Sequence, residues 1–120
     1  MENKGAVKFF TEKLEYTTSP TDVHRMVEEK DKDHVFVDVR DAKSFEAGHV
    51  PGAISVPAAA MPDMLDKLPK GKILVLYCYN IVCFAAPRAA LYLARKGYKV
   101  KELVGGFEEY KNRDHPVETG

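Results

Sequence analysis

Residues 34–57 read HVFVDVRDAKSFEAGHVPGAISVP, a strand-like run, a short helical pattern and a second strand-like run in close succession. The first run, HVFVDVR, is short and rich in β-branched residues, as expected of a strand buried on both faces. A short helix is predicted next, ending at Gly48, and a turn at Pro51–Gly52 leads into the strand AISVP. This alternation indicates an α/β fold with a largely parallel sheet.

The alternation continues on both sides of this segment. Upstream, Ser19 as N-cap and Pro20 at the first helical position predict the start of a helix. Downstream, the predicted elements are a helix over 61–68, the strand KILVLY (72–77), a helix over 84–96 ending at Gly97, the strand YKVKELVGG (98–106) and a helix over 107–113. Residues 1–17 are mixed in character, and we expect a lead-in strand or an N-terminal arm there, with the arm assigned to residues 1–13.

Composition limits the functional classes. A chain of 120 residues fits one domain with one core. Its 18 basic residues balance 18 acidic ones, so the net charge favours neither nucleic acid nor an anionic membrane as a partner. No apolar run approaches the roughly 20 residues that cross a bilayer, and the start MENKGAVKFF lacks the features of a signal peptide. A cytoplasmic location, where thiols usually stay reduced, is therefore expected.

The two cysteines of the chain, Cys78 and Cys83, lie at the end of the predicted strand KILVLY. Ligand sites of parallel sheets lie beyond the carboxyl ends of the strands, and a helix N-terminus there favours a thiolate. The pair is therefore a candidate nucleophile with a helper, a redox pair, a metal clip or two buried hydrophobes. Zinc is disfavoured because the pair lacks a second ligand pair and the four histidines are scattered, so we expect no metal and no cofactor.

At this point the sequence resembles the single-domain rhodanese-like sulfurtransferases. DVRDAKSFEAGHVPGAISVP (38–57) looks like their upstream signature, and VKELVGGFEEY (100–110) is similar to their closing signature, with Tyr110 where the family often has tryptophan. Residues 75–100 occupy the place of the active-site cysteine loop and its helix. The resemblance covers about residues 14–118. It implies one domain over residues 14–120, with a central, mostly parallel five-stranded sheet and helices on both faces.

The resemblance also implies roles for individual residues. Cys78 takes the place of the persulfide-forming cysteine. The backbone amides expected to face the transferred sulfur are those of Tyr79, Asn80, Ile81, Val82 and Cys83. Asp38, Arg40 and His49 match signature positions that are mostly architectural. We expect Asp38 and Arg40 to pair or to brace loops, and His49 to hydrogen-bond a backbone turn before Pro51–Gly52.

The active-site loop departs from the pattern of thiosulfate-using members. Those members carry cationic residues in a compact loop, whereas Tyr79 follows the cysteine here. The interval from Cys78 to Gly97 is 97 − 78 = 19 positions, about two more than in the compact pattern. A larger, less cationic pocket edged by Ile81 and Val82 predicts polysulfide, a small persulfide or a protein-bound persulfide as donor, rather than thiosulfate. A thiol is the expected acceptor, and the protein is expected to be a monomer or a homodimer.

Several alternatives remain open from the sequence. Cys83 is either a resolving thiol or a packing residue, and because Arg88 follows it by five positions it is also a second candidate nucleophile. A dithiol redox or arsenate-reducing enzyme and a non-catalytic binding module are competing functions on the same fold. A cysteine-loop phosphatase is excluded, because it needs an arginine six positions after its cysteine and both cysteines are followed there by other residues, Phe84 and Ala89.

Overall fold

The computed structural model describes residues 1–120. The helices are α1 (Lys4–Tyr16), α2 (Pro20–Glu28), α3 (Ala42–Ala47), α4 (Ala85–Arg95) and α5 (Gly106–Asn112). The strands are β1 (Thr17–Thr18), β2 (His34–Asp38), β3 (Ile54–Ser55), β4 (Ile73–Tyr77) and β5 (Lys99–Leu103). Two short 3₁₀ helices, Ala58–Asp63 and Leu65–Lys67, precede β4.

The five strands form one sheet in the order β1-β5-β4-β2-β3, and every neighbouring pair is parallel. The predicted α/β fold with a five-stranded parallel sheet is therefore confirmed. Asp38 at the end of β2 lies opposite Tyr77 at the end of β4. The amide of Val39 continues the ladder by donating to the Tyr77 carbonyl at 3.0 Å. This register brings the segments after both strands together at one edge of the sheet.

Apolar side chains of the central strands alternate between the two faces of the sheet, as the pleat requires. On one face, Leu74 and Leu76 of β4 pack with Leu93 of α4. On the other face, Val75 and Tyr77 pack in a second cluster with residues of α2 and α5, among them Val23, Phe107 and Tyr110. Helices thus cover both faces, and Cys78 belongs to the cluster on the α4 side.

The helix boundaries follow local signals. The Ser19 hydroxyl accepts a hydrogen bond from the Asp22 amide at 3.1 Å, and Pro20 is the first helical residue of α2. Gly97 follows α4 with a φ of +89°, a left-handed conformation that glycine adopts without strain. The predicted start of α2 and the predicted end of α4 before Gly97 are confirmed.

Two segments differ from the prediction. Residues Lys4–Tyr16 form helix α1 rather than a strand or an irregular arm, because Asn3 caps the Ala6 amide at 3.1 Å and no proline interrupts the run. The helix crosses the predicted boundary between residues 13 and 14. The predicted helix over 61–68 is wrong: 3₁₀ turns replace it, with Pro62 inside the first, where it cannot donate an α-helical hydrogen bond. None of the helices is long and apolar enough to cross a membrane.

Candidate functional site

Cys78 follows β4 directly and is 3 % exposed. The first turn of α5 holds the chain at this point. The amide of Phe107 donates to the Cys78 carbonyl and the amide of Glu108 donates to the Tyr79 carbonyl, each at 2.9 Å. Helix N-termini leave their first amides without partners inside the helix, so these two amides are free to bind the loop. The backbone on both sides of the cysteine is therefore fixed by a helix distant in sequence.

Gly106 makes this close approach possible. A β-carbon at Gly106 would lie 2.6 Å from the Cys78 carbonyl oxygen and 2.9 Å from the Asn80 nitrogen. Its φ of +64° is also in the left-handed region, which side-chain-bearing residues rarely adopt. Steric space and backbone conformation both require glycine where α5 meets the cysteine loop.

We expect Gly106→Ala to displace the cysteine loop and to lower the free energy of unfolding by about 1–3 kcal/mol. Urea unfolding measures the stability, and the rate of Cys78 alkylation reports the change in the loop. Gly71→Ala is the matched control, because a β-carbon there meets nothing within 4 Å. Equal stability and equal alkylation rates in both variants would contradict the assigned role of Gly106.

A tight turn carries the chain from Cys78 to Cys83. The Asn80 carbonyl accepts from the Cys83 amide at 3.2 Å, and the Asn80 side-chain oxygen accepts from the Val82 amide at 3.1 Å. The turn returns Cys83 to the strand end, where its carbonyl accepts from the Cys78 thiol at 3.3 Å. Both cysteines are free thiols. The structure thus brings together two reduced sulfurs that the sequence separates by four residues.

The two thiols ionise as an interacting pair. Burial, together with the hydrogen bond to Cys83, raises the pKa of Cys78 to about 11, although the amides of Ala86 and Tyr79 act in the opposite direction. Burial also opposes ionisation of Cys83, but the Cys78 thiol, the Ala85 and Tyr79 amides and the charge of Arg88 together lower its pKa. Cys83 is therefore the thiol that loses its proton first.

The amides near the sulfurs differ in part from the predicted set. Tyr79 is in that set, but Ala85 and Ala86 at the start of α4 were not foreseen. The rule that helix N-terminal amides favour thiolates is the signal that would have indicated them. The amides of Val82 and Cys83 are instead engaged by Asn80. A role for the amides of Asn80 and Ile81 stays a prediction.

We expect Cys83 to react with iodoacetamide at a lower pH than Cys78 does, because the Cys78 thiol stabilises the Cys83 thiolate. Replacing Cys78 by alanine removes this donor and should shift the alkylation profile of Cys83 to higher pH. Mass spectrometry of each cysteine across a pH series measures both profiles. Cys83→Ala is the reciprocal control, and it should shift the profile of Cys78 to lower pH, since the Cys83 interaction raises the Cys78 pKa. An unchanged Cys83 profile in Cys78→Ala would show that the two thiols are not coupled.

Asp38 and Arg40 form a buried ion pair beside the loop. The Arg40 Nη2 lies 2.7 Å from the Asp38 Oδ2 and donates to the Gly48 carbonyl at 2.6 Å. Its guanidinium lies 4.2 Å from the centre of the Phe107 ring. Arg40 therefore connects the end of β2, the end of α3 and the helix α5 that holds the cysteine loop.

His49 also makes backbone contacts. Its Nδ1 lies 2.7 Å from the Phe45 carbonyl in the last turn of α3, and its ring stacks on Phe45 with centroids 3.7 Å apart. The backbone of His49 forms a bridge with Glu118 near the C-terminus. The observed backbone partner of the His49 ring is thus the last turn of α3, which precedes Pro51–Gly52 in the chain.

A contact between Tyr79 and Asp41 was missed by the sequence analysis. The Tyr79 hydroxyl donates to the Asp41 carboxylate, which also caps α3 by accepting from the Ser44 amide at 2.9 Å. The bond from Tyr79, followed by those from Ser44, lowers the pKa of Asp41 to about 2. The residue after Cys78 is thereby tied to the helix that follows β2.

The outer surface of the loop is apolar. Ile81, Val82 and Phe84 are 67 %, 79 % and 60 % exposed. Ile81 and Phe84 border a groove of about 540 Å³, and Arg88 is the one cationic residue that lines it. No group of three or more potential metal-ligating side chains occurs in the structure. The site is therefore a dithiol with an apolar outer surface, and the adjoining groove has one cationic and one acidic lining residue, Arg88 and Glu102.

Comparison with known proteins identifies the family. The family model described as "Rhodanese-like domain" matches residues 19–113. The chain is 35% identical over 89 residues to the thiosulfate sulfurtransferase GlpE of Coxiella burnetii. This alignment covers 73% of this chain and 80% of GlpE. It is 38% identical over 84 residues to the HTH-type transcriptional regulator Rv0324 of Mycobacterium tuberculosis, covering 70% of this chain but only 37% of the regulator. The BH2092 protein of Bacillus halodurans superimposes with a TM-score of 0.92 at 33% identity, over 98% of this chain and 87% of that one. The chain belongs to the rhodanese-like domain family.

Proposed function

We propose that the protein is a sulfurtransferase that carries sulfane sulfur as a persulfide on Cys78. The observation that supports this best is the placement of Cys78 at the end of β4, held by α5 and hydrogen-bonded to a second free cysteine. The likeness to the thiosulfate sulfurtransferase GlpE supports the same class of reaction.

The first step loads the sulfur. Because the two thiols ionise as a pair, the Cys83 thiolate can take the proton of the Cys78 thiol. The resulting Cys78 thiolate attacks the outer sulfur of a donor R–S–SH. The donor S–S bond breaks, and the leaving thiolate RS⁻ takes up a proton. Cys78 then carries the persulfide. Amides of Ala86 and Tyr79, which lower the Cys78 pKa, support an anionic sulfur at this position.

The second step releases the sulfur. The lowered pKa of Cys83 supports its role as the resolving thiol, since the thiolate is the attacking species. Cys83 attacks the Cys78 sulfur, the persulfide S–S bond breaks, and hydrosulfide leaves as the Cys78–Cys83 disulfide forms. A dithiol reductant then supplies two electrons and two protons to reopen the disulfide. An external thiol that takes the outer sulfur directly is the competing acceptor. The reducing cytoplasm that the sequence predicts would supply either the dithiol reductant or the external thiol.

The donor is proposed to be polysulfide, a small persulfide or a protein persulfide. Thiosulfate is a dianion, and a pocket for it needs cations, yet Arg88 is the one cationic residue lining the adjoining groove. Apolar residues dominate the loop surface, with Ile81 and Val82 the most exposed of them. A less charged or a larger donor suits such a surface better.

The test treats the purified, reduced protein separately with thiosulfate, polysulfide, glutathione persulfide and arsenate, followed by intact-mass analysis. We expect polysulfide and glutathione persulfide to add the mass of one sulfur atom, or to leave the protein two hydrogens lighter once Cys83 has resolved the adduct. Efficient loading by thiosulfate at low concentration would overturn the donor assignment. No mass change with any sulfur donor would instead indicate a binding module.

A dithiol redox enzyme is the second candidate, because two neighbouring free cysteines, one with its thiol bonded to the backbone carbonyl of the other, are also what such an enzyme needs. It predicts a reversible Cys78–Cys83 disulfide without any sulfur adduct. Oxidation by arsenate in the same experiment, with no adduct from polysulfide even in Cys83→Ser, selects this candidate over sulfur transfer.

A further inference from the structure

Helix α1 lies outside the residues that match the rhodanese-like domain family. It has 13 residues, which corresponds to a length of about 20 Å, and none of them is buried. The protomer measures 53 by 33 by 28 Å, a shape that agrees with a helix projecting from a compact domain. Isolated helices of this length are marginal in water, so such a helix normally needs a surface to pack on.

One side of α1 is apolar. Val7, Phe10 and Leu14 follow the i, i+3, i+7 spacing and lie within about 60° of one another around the helix. Their side chains are 48 %, 55 % and 79 % exposed. We call these three residues the α1 stripe. Lys4 and Lys13 flank it, each about 90° from its centre.

An apolar groove begins where α1 ends. It has a volume of about 770 Å³, and Tyr16 and Thr17 form its border at the root of the helix. Its apolar wall consists mainly of α4 and β5 residues, among them Ala90, Leu91, Ala94, Tyr98 and Val100. Leu91 is 53 % exposed, although the same helix buries Ala86, Ala89 and Leu93 in the core. The groove therefore matches the α1 stripe in chemical character.

A carboxylate inside the groove adds charge complementarity. Glu102 of β5 lines it, as do Glu15, Lys99 and Lys101, and burial raises the pKa of Glu102. Glu102 takes part in none of the salt bridges of the protomer. Burying part of a carboxylate without a cationic partner costs free energy, unless another molecule supplies the cation. The lysines beside the α1 stripe, Lys4 and Lys13, are cations of the required kind.

The helix is held away from its own groove. The Thr17 amide caps α1 by donating to the Lys13 carbonyl, and the Thr18 carbonyl accepts from the Val104 amide at 3.0 Å. Thr17 and Thr18 also pair with Glu102 and Leu103 of β5. Folding α1 back onto its own protomer would break this junction. Helix α1 of a second chain can reach the groove without breaking the junction.

We propose that the protein is a homodimer in which the α1 stripe of each protomer docks in the groove of the other. Because the groove starts at the root of α1, one two-fold axis satisfies both contacts at once. Each docked helix is about 10 Å wide and 20 Å long, and about half of its lateral surface faces the groove. Two such contacts, together with the matching groove surface, bury an area on the order of 1,200 Å². That area is at the lower end of the range for specific interfaces.

Light scattering during size-exclusion chromatography tests the dimer. The wild-type chain is expected at twice its mass of 13.5 kDa. Leu14→Glu in the α1 stripe and Leu91→Glu in the groove are each expected to give the monomer mass, because a carboxylate would be buried at the contact. Gly5→Glu is the matched control, since Gly5 lies on the opposite side of α1, about 170° from the centre of the stripe, and should leave the dimer intact. Leu14, Leu91 and Gly5 are all exposed in the protomer, so the variants should fold.

Crosslinking distinguishes docking in the groove from pairing of the two helices. In a Cys78→Ser/Cys83→Ser background, Leu14→Cys chains are mixed with Leu91→Cys chains and oxidised. Disulfide formation between the two kinds of chain is expected. A monomeric wild-type protein overturns the proposal, as does crosslinking only between Leu14→Cys chains. Binding of the monomer to phosphatidylglycerol vesicles through α1 would show that a lipid surface takes the place of the second chain.

Discussion

Cys78→Ser should abolish sulfur loading, with no sulfur adduct after polysulfide treatment and a fall in turnover on the order of 10³ or more. A serine hydroxyl stays protonated at neutral pH and cannot form a persulfide, so the loss is chemical rather than structural. Cys78 is buried, and serine is close to it in size, so the fold should be retained. Intact-mass analysis and a sulfide-release assay with a dithiol reductant measure both effects.

Cys83→Ser is the matched control for this experiment. It leaves the sulfur of Cys78 in place but removes the resolving thiolate, so the persulfide should accumulate and hydrosulfide release without an external thiol should stop. The reverse pattern, an adduct that survives in Cys78→Ser and disappears in Cys83→Ser, would make Cys83 the nucleophile. The lowered pKa of Cys83 and the nearby charge of Arg88 make that reversal the specific outcome to look for.

Asp38→Ala should lower the free energy of unfolding by about 3–5 kcal/mol, the usual effect of removing one partner from a buried ion pair. Asp38 is fully buried and Arg40 is 6 % exposed, so the arginine would keep its charge without a counter-ion. Since small domains are stable by only about 5–15 kcal/mol, this variant should unfold at a markedly lower urea concentration than the wild type. Urea unfolding monitored by circular dichroism measures the change.

Two controls separate the ion pair from a general effect of losing a carboxylate. Asp41→Ala removes an exposed carboxylate that caps α3, and it should destabilise the protein far less than Asp38→Ala does. The double variant Asp38→Ala/Arg40→Met leaves no unpaired charge and should recover much of the stability that Asp38→Ala loses. A cost of Asp38→Ala no larger than that of Asp41→Ala would contradict the importance of the pair.

Local patterns explain which features of the fold could be predicted. Ser19 and Pro20 mark the start of α2. The Ser19 hydroxyl accepts a hydrogen bond from an amide that the first turn leaves free, and Pro20 has no amide hydrogen that would need a partner. The β-branched run at residues 34–40 and the apolar run before Cys78 were assigned correctly as strands, since a strand covered on both faces must be apolar throughout. The position of Cys78 at a strand end followed from the second run, and the rule that ligand sites lie beyond the carboxyl ends of parallel strands made it the candidate nucleophile.

Prediction failed where local preference is weak or is overridden. Helix α1 has an apolar stripe but no buried residue, and its mixed N-terminal sequence was interpreted as a strand or an arm. Periodicity over residues 61–68 suggested one helix, but Pro62 cannot donate to the preceding turn, so short 3₁₀ helices form instead. The apolar period alone does not reveal which hydrogen bonds a proline removes.

The sequence by itself determined the α/β fold, the order of its strands along the chain and the position of Cys78 at a strand end, because each depends on periodicity and on neighbours a few residues away. Only the tertiary structure decided what surrounds the sulfur. The bond from Phe107 to Cys78, the bond from Tyr79 to Asp41 and the position of Arg40 on Phe107 all join residues far apart in the chain. Those contacts depend on the register of β2 against β4 and on where α5 begins, and no local pattern specifies either.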